Sequence, residues 1–123
     1  LNYTPIRYAE VLLWEAEALT ELNRVAEAQA PLEQVRARAR AQATNPATAL
    51  PPVTTTDQQT MRTAVRHERQ VELGFELHRF FDLVRWGVAA QTLPGFMEGK
   101  NEVFPLPQTE IDLNPALVQN NGY

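Results

Sequence analysis

The sequence predicts an all-α fold. Apolar residues recur at spacings of three and four through most of the stretch from Ile6 to Trp86, the pattern of helices that bury one face. A Thr/Pro-rich break divides this stretch, and the residues after Gly87 contain no pair of alternating runs that would read as strands.

Each element has its own signal. Thr4-Pro5 suits a helix start, Thr as the cap and Pro at the first helical position, where no donor is lost. Ile6, Ala9, Leu12 or Leu13, Ala16 and Leu19 then follow at helical spacing, with Glu10, Glu17 and Glu21 on another side. Asn23 can close this helix, because Asn tolerates the left-handed conformation of a C-terminal cap. A second run over residues 25–42 has Ala28, Leu32, Val35 and Ala39 as its apolar line. Pro31 leaves two starts open: near Ala30, or earlier with a bend at the proline. Helices joined by about two residues lie antiparallel, so the pair reads as a tetratricopeptide-like αα-hairpin.

Residues 44–56, TNPATALPPVTTT, lack periodicity and form an internal linker. Thr56 followed by Gln59 has the spacing of a capping box. From 57 to 86 no residue forces a stop, which predicts one long buried helix of about 45 Å. Gly74 is expected to mark a close backbone approach or a kink rather than an end. Pro94-Gly95 and Gly99 punctuate a loop, VFPLP reads as extended, a helical turn fits at 108–112, and the rest of the tail is irregular.

Bulk properties narrow the function. A chain of 123 residues is expected to form one domain, and 44% hydrophobic with 21% charged residues is ordinary for a globular protein. The net charge of −4 gives no electrostatic footprint for nucleic acid. The absence of cysteine excludes disulfides, thiolate metal sites and a thiol nucleophile within these residues. No apolar run approaches membrane-spanning length. The opening LNYTPIRYAE has neither a charged nor an apolar leader segment, so the expectation is a piece of a longer chain.

The densest chemistry lies in 68–87, ERQVELGFELHRFFDLVRWG. Arg69 and Glu72, Glu76 and Arg79, Arg79 and Asp82, and Asp82 and Arg85 are each three residues apart, so on a helix each acid meets a guanidinium. Together with Glu68 these form an expected structural ion-pair network. Pairing favours the ionised carboxylate, the opposite of what a glycosidase acid needs, so no catalytic residue is assigned. His67-Glu68 begins a zinc motif, but Val71 stands where the second His belongs. Glu72 and Glu76 precede Phe75 and Arg79 where a di-metal site needs His, and His78 with Asp82 converges only two groups. No metal or cofactor is expected. Arg36 and Arg40 share a helix face with Glu33 nearby and read as ion-paired or solvated. Trp14 and Trp86 read as core, which leaves Phe96, in the loop before Lys100, as the aromatic to test as a ligand contact.

Four blocks in order, IRYAEVLLWEAEA, LEQVRARA, ERQVELGFELHRFFDLVRWG and VFPLPQTEIDLNPALVQNNGY, resemble the C-terminal part of the RagB/SusD family and cover nearly the whole chain. The closing Gln119-Asn120-Asn121-Gly122-Tyr123 is similar to the family's usual ending, which marks Tyr123 as an expected natural C-terminus. Glu33 stands where the family usually has Asn, and Leu77 and Arg40 where it usually has Gly.

The resemblance implies a surface-exposed outer-membrane lipoprotein of Bacteroidetes-type bacteria, anchored by lipid outside this segment. It implies a binding protein, not an enzyme, that captures oligosaccharides or other nutrients with a SusC-like TonB-dependent transporter. In that reading the present residues are mainly scaffold. Two rivals remain, a tetratricopeptide-like module that docks a protein partner and a carbohydrate-active enzyme.

Overall fold

A computed structural model describes residues 5–123. Its elements are α1 (Tyr8–Glu21), α2 (Val25–Ala41), α3 (Gln58–Glu72), α4 (Arg79–Arg85), α5 (Ala89–Thr92) and α6 (Gln108–Leu113). The fold is all-α, with no strand among the described residues. The chain separates into two compact units, residues 1–77 and 78–123.

In the first unit α1 packs against both α2 and α3, and α2 also touches α3. Leu12, Leu13 and Ala16 of α1 meet Val25, Ala28, Leu32 and Val35 of α2 and Met61 and Val65 of α3, with Leu73 closing the cluster. Burying a side chain such as Leu13 or Leu32 contributes about 1.5–3 kcal/mol, so this three-helix core holds the unit together.

The α1–α2 turn is a Schellman motif. Asn23 has φ 58°, its N–H donates to Thr20 O at 3.0 Å, and the Arg24 N–H donates to Leu19 O at 2.8 Å. Other boundaries differ from expectation. Thr4 lies outside the described residues, and Pro5 is not helical: α1 begins at Tyr8 with Arg7 as its N-cap and no side-chain cap bond. Of the two starts open for the second helix, the earlier is observed, with buried Pro31 inside α2. Asp57 rather than Thr56 caps α3, its carboxylate accepting from the Thr60 N–H at 2.7 Å, because an Asp one residue nearer the helix reaches the free amides directly.

Residues 44–56 are turned and then extended, and α2 straps them down. Arg40 donates to Ala49 O and Leu50 O, Arg36 to Pro51 O, and Gln29 to Thr55 O. Val53 adds an apolar contact to the core.

The long helix does not persist. α3 ends at Glu72, and Phe75 and Leu77 adopt φ of 65° and 66° before α4 begins at Arg79. A helix cannot continue through left-handed residues, so the 57–86 span is two helices joined by a strained turn. Gly74 sits in that turn, and a Cβ there would meet Gln70 O and Val71 O at 3.6 Å, an ordinary contact. It therefore marks neither a close approach nor a mid-helix kink.

In the second unit α4 contacts α5, a four-residue helix that the sequence pattern did not indicate, and α6 covers the expected 108–112 turn. The terminal residues clamp the VFPLP segment. Gln119 exchanges two hydrogen bonds with the Leu106 backbone at 2.8 and 2.9 Å. Asn120 Nδ2 donates to Phe104 O, Asn121 Nδ2 to Gly99 O, and the Tyr123 hydroxyl to Val103 O.

Candidate functional site

The acids and bases of 68–85 are paired across helices more than along them. Glu68, 3% exposed in its side chain, receives Arg36 of α2 at 2.5 Å. Glu72 receives Arg7 at 2.6 Å and Arg38 at 2.5 Å. Arg7 also grips Glu76 through Nε and Nη2 and donates to the Glu72 carbonyl. Its guanidinium is driven above its ordinary range chiefly by the Glu76 hydrogen bond, against the cost of burial. Arg69 is buried, with Glu10 and Glu17 of α1 each 3.9 Å away.

The expected three-residue pairs fare differently. Asp82 and Arg85 lie on one α4 face with Arg85 Nη2 2.9 Å from the buried carboxylate. Glu72 and Glu76 are instead held by Arg7, and among the described residues Arg79 makes no hydrogen bond or ion pair. The cause is geometric: α3 stops at Glu72, so the register that would align Glu76 with Arg79 is lost. Arg7, Glu10 and Glu17 gave no sequence signal as partners, since pairing across a hairpin has no fixed spacing. Arg36 and Arg40 did stand out: Arg36 meets Glu68 of α3 and Arg40 meets Glu33, while Arg38, which had no such signal, meets Glu72. His67 is exposed, and no group of metal-binding side chains occurs among the described residues.

The aromatic residues are rearranged relative to expectation. Trp14 is 42% exposed rather than core, because it points away from the Leu12–Leu13–Ala16 face. Trp86 is half-buried, with the Arg85 guanidinium 5.0 Å above its ring. Tyr3 lies outside the described residues. Phe96 is half-buried and belongs to an aromatic cluster: its ring centroid is 6.3 Å from Phe80, which lies 6.2 Å from Phe104. Phe80, Phe96, Phe104, Asn101 and Tyr123 line an open cleft of about 440 Å³ in the second unit. Lys100 Nζ lies 4.7 Å from the Tyr123 ring centroid. Apolar rings beside a few amide and hydroxyl groups can stack on an apolar ligand face while hydrogen bonding at its edge.

Residues 1–103 match the model of the SusD family. The chain belongs to the SusD family. It is 33% identical to SusD-like protein P2 of Formosa agariphila and 34% identical to SusD-like protein P25 of the same organism, over 99% of this chain in both. It spans only 26% and 25% of those SusD-like proteins, about a quarter of their length. Among solved structures, a SusD homolog from Bacteroides thetaiotaomicron superposes with a TM-score of 0.82 at 36% identity, covering 96% of this chain and 26% of that one. A SusD-like protein from Bacteroides fragilis gives 0.79 at 28% identity, covering 99% and 26%. No helix among the described residues is long and apolar enough to cross a membrane.

Proposed function

We propose that this chain is part of a glycan- or nutrient-binding protein held at the outer-membrane surface by a lipid anchor outside residues 1–123. It acts there with a SusC-like TonB-dependent transporter. SusD family membership carries this reading. Within the assembly the first unit is scaffold, its buried acids each paired with a guanidinium from another helix. Acids committed to ion pairs that hold the helices together are poorly placed to act as general acids, which favours binding over catalysis. The ion-pair residues Glu68, Arg69, Glu72, Glu76, Asp82 and Arg85 are structural on this reading. Phe96 is the proposed ligand contact, supported by its place in the aromatic cleft.

The test expresses the complete reading frame and titrates it with a panel of neutral oligosaccharides, with copurification of the adjacent barrel protein measured in parallel. Saccharide binding weakened about tenfold by Phe96→Ala supports the ligand contact. Binding unchanged by that substitution removes Phe96 from the site. A preparation that never copurifies with a barrel transporter removes the transporter role. Turnover of any saccharide that vanishes in Glu72→Gln or Glu76→Gln overturns the non-enzyme reading.

One observation favours a second reading, a protein-interaction module. The α1–α2 hairpin carries a cleft of about 340 Å³ lined by Tyr8, Leu12, Gln34, Val35 and Arg38. Capture of a peptide with no saccharide affinity would select it.

A further inference from the structure

The α1 helix has two apolar faces, and the core uses one. Leu12, Leu13, Ala16 and Thr20 are buried against α2 and α3. On the opposite side stand Tyr8, Val11, Trp14 and Leu22, 70%, 42%, 42% and 68% exposed, with exposed Ala18 between them. At about 100° per residue this second set spans roughly 120° of the helix surface, the width of a core-facing stripe. Scattered exposed apolar residues are ordinary, but a continuous strip at helical spacing that includes Trp and Tyr is a packing surface. Tyr8 also lines the cleft of about 340 Å³ with Ala9, Leu12, Gln34, Val35 and Arg38, so the strip runs into a recess that could seat an inserted side chain.

We infer that this outer face of α1 is covered by the part of the same SusD-like polypeptide that the present chain does not span. The relatives supply the reason: this chain aligns along nearly its whole length with only about a quarter of each of them. A surface that reads as core and is open here needs an occupant, and in a polypeptide of that length one is covalently attached at high effective concentration. The occupant is an amphipathic segment whose apolar side faces Val11, Trp14 and Ala18. It must also offer a polar or basic group, because exposed Glu15 shares the arc and would otherwise be buried unpaired.

The chain contains no cysteine, which makes thiol labelling a clean probe. Val11→Cys and Ala18→Cys are introduced singly into the product of the complete reading frame, with Glu27→Cys as an exposed control on α2. Maleimide labelling is followed by peptide mass spectrometry in native buffer and in urea. The expected result is labelling about tenfold slower in native buffer than in urea at both α1 positions. Native labelling at Val11→Cys as fast as in urea, alongside a circular dichroism spectrum showing a folded product, overturns the inference. So does protection that disappears on dilution, which would assign the face to a second copy. A reading frame that encodes no further polypeptide overturns it as well.

Discussion

Arg36 of α2 and Glu68 of α3 form a hydrogen-bonded ion pair at 2.5 Å, with side-chain exposures of 12% and 3%. The same guanidinium reaches Pro51 O and so ties the linker to the two helices. Removing one member of a buried pair strands the other charge, so Arg36→Ala is expected to cost about 3–5 kcal/mol. The double variant Arg36→Met/Glu68→Leu replaces both charges with apolar groups and should recover most of that loss. Urea denaturation midpoints of the three proteins decide the matter. A single variant within about 1 kcal/mol of the parent would show that Glu68 finds water or another partner.

Arg7 and Arg79 separate structural from incidental charge. Arg7 donates to Glu72, to Glu76 and to the Glu72 carbonyl, whereas Arg79 has no such partner among the described residues. Hydrogen bonds to charged groups contribute about 1.5–3 kcal/mol each in partly buried settings, and they are not additive. Arg7→Ala should therefore destabilise by about 2–3 kcal/mol, and Arg79→Ala by less than about 1 kcal/mol. Thermal melts with equal losses for the two would contradict the pairing seen at Arg7.

Leu77 occupies a backbone conformation suited to glycine. Its φ of 66° is left-handed, and its side chain is 76% exposed, so no buried contact offsets the strain. Left-handed geometry costs an L-residue about 1–2 kcal/mol, and glycine loses about 0.5–1 kcal/mol more backbone entropy on folding. The difference predicts that Leu77→Gly stabilises by a few tenths to about 1 kcal/mol. Leu77→Ala keeps a Cβ and should give no gain. Equilibrium unfolding of both variants tests this, and a destabilising Leu77→Gly would place the leucine in a contact with another part of the protein.

The outcome at these residues shows what the sequence made legible. The hairpin and, to within one residue, the α3 start follow from spacing and turn chemistry, which act over a few residues. The break after Glu72 was not legible, because Phe75 and Leu77 carry no local signal for positive φ; only the family's usual Gly at position 77 pointed to a turn. The charged residues of 68–85 were found, but most of their partners were not. Spacing along one helix predicted Asp82 with Arg85, while Arg7, Arg36 and Arg38 approach from elements placed by the fold. Trp14 reads as core in the sequence because an apolar residue beside a stripe looks the same whether it faces that core or a second surface.

Acid should weaken the first unit in a defined window. Arg62 holds the Glu21 carboxyl below its ordinary range by hydrogen bonding, and Arg40 does the same to Glu33. A carboxylate whose folded pKa is depressed contributes stability that is complete above its unfolded value. That contribution is lost as pH falls through the folded one, because the unfolded chain then binds more protons. Both side chains are over a third exposed, so each contribution is small and screened by salt. Thermal midpoints should be level from about pH 7 to about pH 5 and fall below about pH 4.5. Glu21→Gln/Glu33→Gln should lie below the parent at neutral pH and converge with it as acid protonates the parent's two carboxylates as well. Parallel curves with no convergence would show that acid sensitivity comes from other groups.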